Sequence, residues 1–365
     1  MIQIKKIHVQ KGKRAIVISD IHANVALFKR LLDKVNYTSD DYLIINGDMC
    51  EKGMNSLEVI EYIRMLSKEH PHVYITKGNC DVLFRYVENN VKGIISYMER
   101  QKHSILNEML KLYHKSIVDY KDLTELEAFY RRNFSEILNW IERLPNVIEM
   151  ENYIIVHAGV ENRVDWQNTS EDFSLSNDAF YEKGHQADKV VIVGHWPVVN
   201  YRANQISSHM PLIDLEKKII AIDGGNQIKK DVQLNALILQ NESYQISYVD
   251  ELEQEAEICK EHIDTTKRVG TVVYPHYEMK ILHQERYFTL CENHGLGIKQ
   301  WVKNEYLRKA ESTVQCKTDV STTFLSVKEK EKVSIIDYST EGYILVKNQK
   351  GEVGWIPKDC LEVVR

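Results

Sequence analysis

The chain has 365 residues, 43% hydrophobic and 27% charged, with a formal net charge of -6. That length suggests about two to three domains, the composition is ordinary for a folded globular protein, and the charge excludes the basic footprint of a nucleic-acid binder. A phosphorylated substrate is not excluded, because the charge of a bound metal can outweigh the global balance locally.

Six cysteines (Cys50, Cys80, Cys259, Cys291, Cys316 and Cys360) form no CxxC pair. A zinc knuckle or dithiol redox site is therefore not expected, and free thiols fit a reducing cytosol. The opening MIQIKKIHVQKGKR lacks the apolar core of a signal peptide. No stretch nears the ~20 apolar residues of a membrane span, so a cytoplasmic protein is expected.

From residue 14 to about 80, short apolar runs alternate with helical spacing. Strands are expected at 15–18, 42–45 and 73–76, and helices at 25–35 and 57–66, where apolar residues recur on one face. This rhythm implies βαβ units with a parallel sheet and right-handed crossovers. Residues 82–145 break it and read as two or three amphipathic helices, either a layer on the sheet or a cap over a cleft. Strands resume at 153–156, 190–193 and 219–222, and an antiparallel pair is expected at 234–240 and 244–249. The catalytic domain is thus expected over 1–250. The acidic run DELEQEAE suggests a helical linker or a domain boundary, and a linker is expected over 251–264.

Beyond it, 287–307 and 343–361 share a pattern of strand, Asn-containing turn, Gly, and strand with a Trp. A period of roughly 54 residues, with Trp301 and Trp355 at matching places, predicts two small β-barrels in tandem, at 265–310 and 311–365. The second resembles bacterial Src-homology-3-like barrels in its GWIP turn.

Chemistry concentrates at the strand ends. Asp20 and His22 follow the first strand in SDIHAN, Asp48 follows the second in NGDMCEKG, and Asn79 follows the third in KGNCD. His157 follows 153–156 in VHAG, and His195 follows 190–193 in GHWP. Ligands gather outside the carboxyl ends of strands in open α/β sheets. A single His at a strand end is usually a satisfied polar residue; five ends carrying ligand-type residues point to a metal site. They suffice for two ions if one carboxylate bridges, and mixed oxygen and imidazole donors suit Mn, Fe, Zn or Co.

In this order, SDIHAN, GDMCEKG, KGNCD, VHAG and GHWP resemble the calcineurin-like metallophosphoesterases over residues 13–250. With IDGG at 222–225, the set is most similar to the phosphoprotein phosphatase branch, which includes bacterial Ser/Thr phosphatases and symmetrical diadenosine tetraphosphatases. The resemblance implies a four-layer α/β/β/α sandwich with a helical insertion, followed here by the small all-β barrels. It implies that Asp20 and His22 bind one divalent ion, that Asp48 bridges, and that Asn79, His157 and His195 bind the second. Mn is the first expectation, with Fe, Zn, Ni or Co as alternatives. A hydroxide generated on the metals would attack phosphorus in line.

Three departures from the family pattern matter. Cys80 stands where the family has a proton-handling His, beside Glu51 at the position of its acid. A thiol, with a reference pKa of about 8.5 against about 6.5 for imidazole, handles protons less well at neutral pH. Lys52 replaces a phosphate-gripping Arg and loses its bidentate fork. Asn177 replaces a second Arg; Arg163 either compensates or is a solvated loop charge. The first functional expectation is a Ser/Thr-type protein phosphatase or small phosphomonoesterase. The second is a nucleotide hydrolase or phosphodiesterase such as a symmetrical diadenosine tetraphosphatase, and the third a catalytically weakened metal-binding scaffold or sensor. Expected partners are a phosphorylated substrate (phosphoprotein, nucleotide or small phosphate ester) and a protein bound through the barrels.

Overall fold

The structure, a computed structural model, describes residues 2–228, 231–241, 243–309 and 313–362. The chain divides into two units. One takes Met1–Trp196, Pro211–Ile228 and Gln233–Val249, and the other takes Pro197–Met210, Lys229–Val232 and Asp250–Arg365.

The first unit opens with β1 (Ile4–Lys6), β2 (Arg14–Ile18), α1 (Val25–Lys34), β3 (Tyr42–Asn46), α2 (Ser56–Glu69) and β4 (Val73–Thr76). The insertion then supplies α3 (Phe84–Glu88), α4 (Gly93–Arg100), α5 (Ile105–Lys111) and α6 (Leu123–Glu142). It is followed by β5 (Val147–Glu149), β6 (Tyr153–Val156), α7 (Glu171–Ser176), α8 (Phe180–Lys183), β7 (Val190–Val193), β8 (Leu212–Asp214), β9 (Ile219–Ala221), β10 (Gln233–Gln240) and β11 (Ser243–Asp250).

These strands form two sheets, ordered β11-β10-β2-β3-β4 and β1-β5-β6-β7-β9-β8. The β2–β3–β4 and β6–β7–β9 pairs are parallel, as the alternating rhythm requires. Side chains alternate across each strand. Ala15 and Val17 of β2, with Tyr42 and Ile44 of β3, meet Ile148, Ile155, Ile192 and Ile220 of the other sheet. Ile16, Ile18, Leu43 and Ile45 point the opposite way, into a core shared with Phe28, Leu31 and Ile63 of α1 and α2. Each such side chain contributes roughly 1.5–3 kcal/mol by leaving water. This fold is the α/β sandwich.

The insertion is a layer in that same core, through Phe84, Met98, Leu106, Tyr130 and Leu138. It has four α-helices among the described residues rather than two or three. Two of these helices, α5 and α6, start where a side chain caps them: Ser104 accepts from Leu106 N, and Asp122 accepts from Glu125 N.

The second unit is nearly all β: β12 (Glu255–Glu257), β13 (Thr271–Val272), β14 (Glu278–Gln284), β15 (Phe288–Asn293), β16 (Ile298–Lys303), β17 (Leu307–Lys309), β18 (Val314–Cys316), β19 (Val320–Ser321), β20 (Lys332–Asp337), β21 (Tyr343–Asn348) and β22 (Val353–Pro357). The Trp repeat survives as a shared register, with Leu290 opposite Trp301 and Leu345 opposite Trp355. The expected helical linker is corrected. In the acidic run, Glu255–Glu257 is a strand antiparallel to β20, because its alternation exposes both glutamates and turns Ala256 onto the cluster of Ile258, Val333 and Val346. The strand ladders also cross the expected division at 310/311. β18 pairs with β14, and Phe288, Val314 and Trp355 share one core.

Candidate metal centre

The loops after β2, β3, β4, β6 and β7 carry Asp20 and His22, Asp48, Asn79, His157 and His195 in turn. To face one point, the backbone turns left-handed at Asp20 (φ 58°), His22 (φ 48°), Asp48 (φ 49°) and His195 (φ 63°). Each such residue costs on the order of 1–3 kcal/mol. The loops offset this by bonding one another: Asp20 N donates to Gly47 O at 3.2 Å, His22 N to Asp48 O at 3.0 Å, and Ala23 N to Met49 O at 2.8 Å. Asn24, just beyond, caps α1 by accepting from Leu27 N. Gly78 and Gly194 let these loops close, because a Cβ at the first would overlap the Asp48 carboxylate and at the second Ser19 and Asp20.

Two groups of donor atoms result, each within 4.8 Å: His22, Asp48 and Cys80, and Asp48, His157 and His195. Asp48 belongs to both. His22 Nε2 is 3.9 Å from both Asp20 Oδ1 and Asp48 Oδ2. His157 Nε2 is 3.3 Å from Asp48 Oδ1 and 3.1 Å from Asn79 Oδ1. Backbone carbonyls set the imidazoles. Cys50 O lies 3.1 Å from His22 Nδ1, and Asn46 O lies 3.1 Å from His157 Nδ1. A carbonyl only accepts, so Nδ1 carries a proton in both rings and Nε2 faces the centre, where a divalent ion would take the place of any proton on it. His22 Nε2 is buried without a hydrogen-bond partner. A cation between these atoms would satisfy it, so the donor set fits divalent ions.

The electrostatics agree. Burial, then the nearby Asp223 carboxylate, pushes the Asp20 carboxyl well above its usual range. Burial also opposes ionisation of Asp48, but His157 and His22 outweigh it and hold Asp48 well below. Burial lowers the His157 pKa, yet Asp48 more than compensates and pushes it up to about 10. Buried carboxylates crowded around one proton-bearing imidazole are an arrangement that positive charge relieves.

The remaining expected residues fall in different places. Cys80 is buried against the centre, its N–H donating to Asp48 Oδ1 at 2.9 Å. Glu51 is fully buried and turned to the insertion: Oε2 accepts from Tyr97 OH at 2.6 Å and Oε1 from Ile105 N at 2.6 Å. Burial pushes its carboxyl up to about 7, against those two hydrogen bonds. Lys52 is exposed, with Nζ 5.9 Å from the Tyr97 ring centroid. Arg163 makes ion pairs within its own loop, to Asp165 at 2.7 Å and Glu161 at 3.5 Å. Asn177 is buried, with Oδ1 accepting from Lys183 Nζ at 2.7 Å.

Two residues have roles that the sequence did not assign, Asp81 being noted there only as a strand-end residue. Asp81 accepts from Met49 N, Cys50 N and Gly78 N at 2.9, 3.1 and 2.8 Å, tying the β3 and β4 loops together. Its place at the end of KGNCD was the available signal. Asp178 Oδ1 lies 3.4 Å from His195 Nε2, a contact with no signal in the sequence.

A family model described as calcineurin-like phosphoesterase matches residues 13–217. The chain belongs to that family. A variant SH3 domain matches residues 311–364. Among curated relatives of this phosphoesterase, the asymmetrical bis(5'-nucleosyl)-tetraphosphatase of Oceanobacillus iheyensis is 24% identical over 51% of the chain and 78% of the relative. The symmetrical bis(5'-nucleosyl)-tetraphosphatase of Proteus mirabilis is 25% identical over 40% of the chain and 44% of the relative. The chain thus spans less than half the length of the symmetrical enzymes it matches. Among solved structures, a metallophosphoesterase from Sphaerobacter thermophilus is 15% identical (TM-score 0.39), covering 66% of this chain and 89% of that one. A protein serine/threonine phosphatase from Saccharomyces cerevisiae is 12% identical (TM-score 0.42), covering 69% and 85%. No helix among the described residues is long and apolar enough to cross a membrane.

Proposed function

We propose that this phosphoesterase hydrolyses a dinucleoside polyphosphate at a dinuclear centre held by Asp20, His22, Asp48, Asn79, His157 and His195. The observation that carries the reading is the meeting of two donor groups at one carboxylate, Asp48. Divalent ions in such a cage stabilise charge on the phosphoryl group and acidify a water.

The chain's own residues do the rest. Asp48 is shared, with Asp20 and His22 on one side and His157, His195 and Asn79 on the other. Nδ1–H bonds to Cys50 O and Asn46 O keep two Nε2 atoms aimed at the ions. Lys52, exposed beside the site, supplies positive charge toward phosphate. Glu51, tied by both oxygens to the insertion, positions that wall rather than meeting substrate.

Two observations favour a nucleotide over a phosphoprotein: the relatives named as bis(5'-nucleosyl)-tetraphosphatases and a cleft of about 410 Å³ beside Asn79, which Arg85, Tyr86 and Asn89 also line. The half-exposed Tyr86 ring offers a base a stacking surface. The variant SH3 match supports a protein partner for the second unit.

The test compares initial rates on diadenosine tetraphosphate, bis-p-nitrophenyl phosphate and a phosphoserine peptide, with Mn, Fe, Zn, Ni and Co in turn. Metal-dependent hydrolysis that is fastest on diadenosine tetraphosphate is expected. A faster rate on the peptide would return the reading to a phosphoprotein phosphatase, and no metal-dependent hydrolysis of any substrate would refute both.

A further inference from the structure

Cys80 Sγ belongs to one of the two donor groups, yet the six residues assigned to the centre leave it without a role. Its position is the one the family fills with a proton-handling His, outside the set of metal ligands. Yet Cys80 Sγ lies within 4.8 Å of the donor atoms of both His22 and Asp48. The residue is 5% exposed, and its own N–H is locked onto Asp48 Oδ1 at 2.9 Å. The side chain is therefore fixed against the shared carboxylate. Its Sγ accepts a long hydrogen bond from Asn79 Nδ2 at 3.6 Å and also hydrogen-bonds with the Asp48 side chain. Across the gap stands His22 Nε2, buried and without a hydrogen-bond partner. Three donors of different chemistry thus converge on one point: an imidazole nitrogen, a carboxylate oxygen and a sulfur.

We propose that Cys80 is a metal ligand, contributing a sulfur donor to the ion that Asp20, His22 and Asp48 hold. The inference rests on the dinuclear reading above and deepens it. On ligation the S–H bond breaks, a sulfur–metal bond forms and the thiol proton passes to buffer. Thiolate is a soft ligand and selects for zinc over harder ions such as manganese. Replacing imidazole by thiol then does more than weaken a proton relay, because it changes which ion the first position prefers.

The test is zinc X-ray absorption on the full chain carrying Cys259→Ser, which removes an exposed thiol. At two zinc ions per chain, the expected first shell has nitrogen and oxygen at ~2.0–2.2 Å plus half a sulfur per zinc at ~2.3 Å. The sulfur shell should vanish in Cys80→Ser and persist in Cys50→Ala, and Cys80→Ser should raise the affinity for manganese relative to zinc. Zinc bound through nitrogen and oxygen alone overturns the assignment while leaving the dinuclear reading intact. A sulfur shell that survives Cys80→Ser, or disappears in Cys50→Ala, also overturns it. Failure to bind zinc overturns the sulfur assignment, and failure to bind manganese as well overturns both readings. If Cys80→Ser does not fold, the spectra of the Cys259→Ser chain with and without Cys50→Ala still decide.

Discussion

In the α/β unit, buried polar side chains gather at one end of the strands, where Asp20, His22, Asp48 and His157 are each at most 3% exposed. In the β unit, the fully buried Lys303 and Lys347 lie on strands and pair at once with carboxylates, Glu305 at 2.5 Å and Asp250 at 2.8 Å. Both metal-capable groups among the described residues lie in the first unit. The β unit spends its strands on an aromatic core instead, with Phe288 against Phe324, Tyr343 and Trp355, and Phe324 against Tyr343. Buried polarity that is satisfied internally serves the fold. Buried polarity left facing a gap, as at His22 Nε2, marks a place for a ligand.

Substitutions can break that contrast, and the largest effect is expected at its focus. Asp48→Asn should lower kcat/KM on the best substrate by ~100-fold or more, since removing even supporting residues of metal ligands costs 10–100-fold; urea unfolding should show a folded chain. A variant with near-normal rates would remove Asp48 from the centre. Trp355→Ala should instead cost about 3–5 kcal/mol in denaturant unfolding, because the ring is fully buried and its Nε1–H donates to Ser321 O at 2.7 Å. Bound metal should be unchanged while that variant is folded; lost metal would erase the contrast between the units.

Glu51→Gln probes the wall of the site. The folded Glu51 carboxyl is raised from 4.5 to about 7, so its contribution to stability is full below pH 4.5 and is lost as pH rises through about 7. With chelator present, Glu51→Gln should flatten the melting-temperature profile across that window, and an unchanged slope would contradict the assignment. Arg163→Ala should have the smallest effect: no resolvable change in stability, as for other exposed ion pairs, and a rate within a factor of two. A large rate loss would restore Arg163 as a phosphate ligand.

The strands that place the site were legible because β2, β3, β4, β6 and β7 are buried apolar runs ending abruptly in Gly, Asp, Asn or His. β1, β5 and β8 were not, being three residues each, too short for a period to register. The strand at Glu255–Glu257 hid behind its charge, since only the barrel it joins gives Ala256 a face to bury. Within the site, donor residues were legible from type and spacing. The roles of Glu51 and Asp178 were not, because the contacts that define them reach 54 residues along the chain to Ile105 and across to His195. Arg163 was ambiguous in sequence because the loop that neutralises it also makes its charge look available.

The central claim is that Asp48 is shared by two ions, and metal counting tests it most directly. Chelator-treated chain, reloaded with zinc or manganese and passed over a desalting column, is analysed for metal per chain alongside Asp48→Asn. Two ions in the parent chain and fewer than one in the folded variant are predicted; a parent chain that retains no stoichiometric metal, or a variant that keeps both ions, would contradict the account.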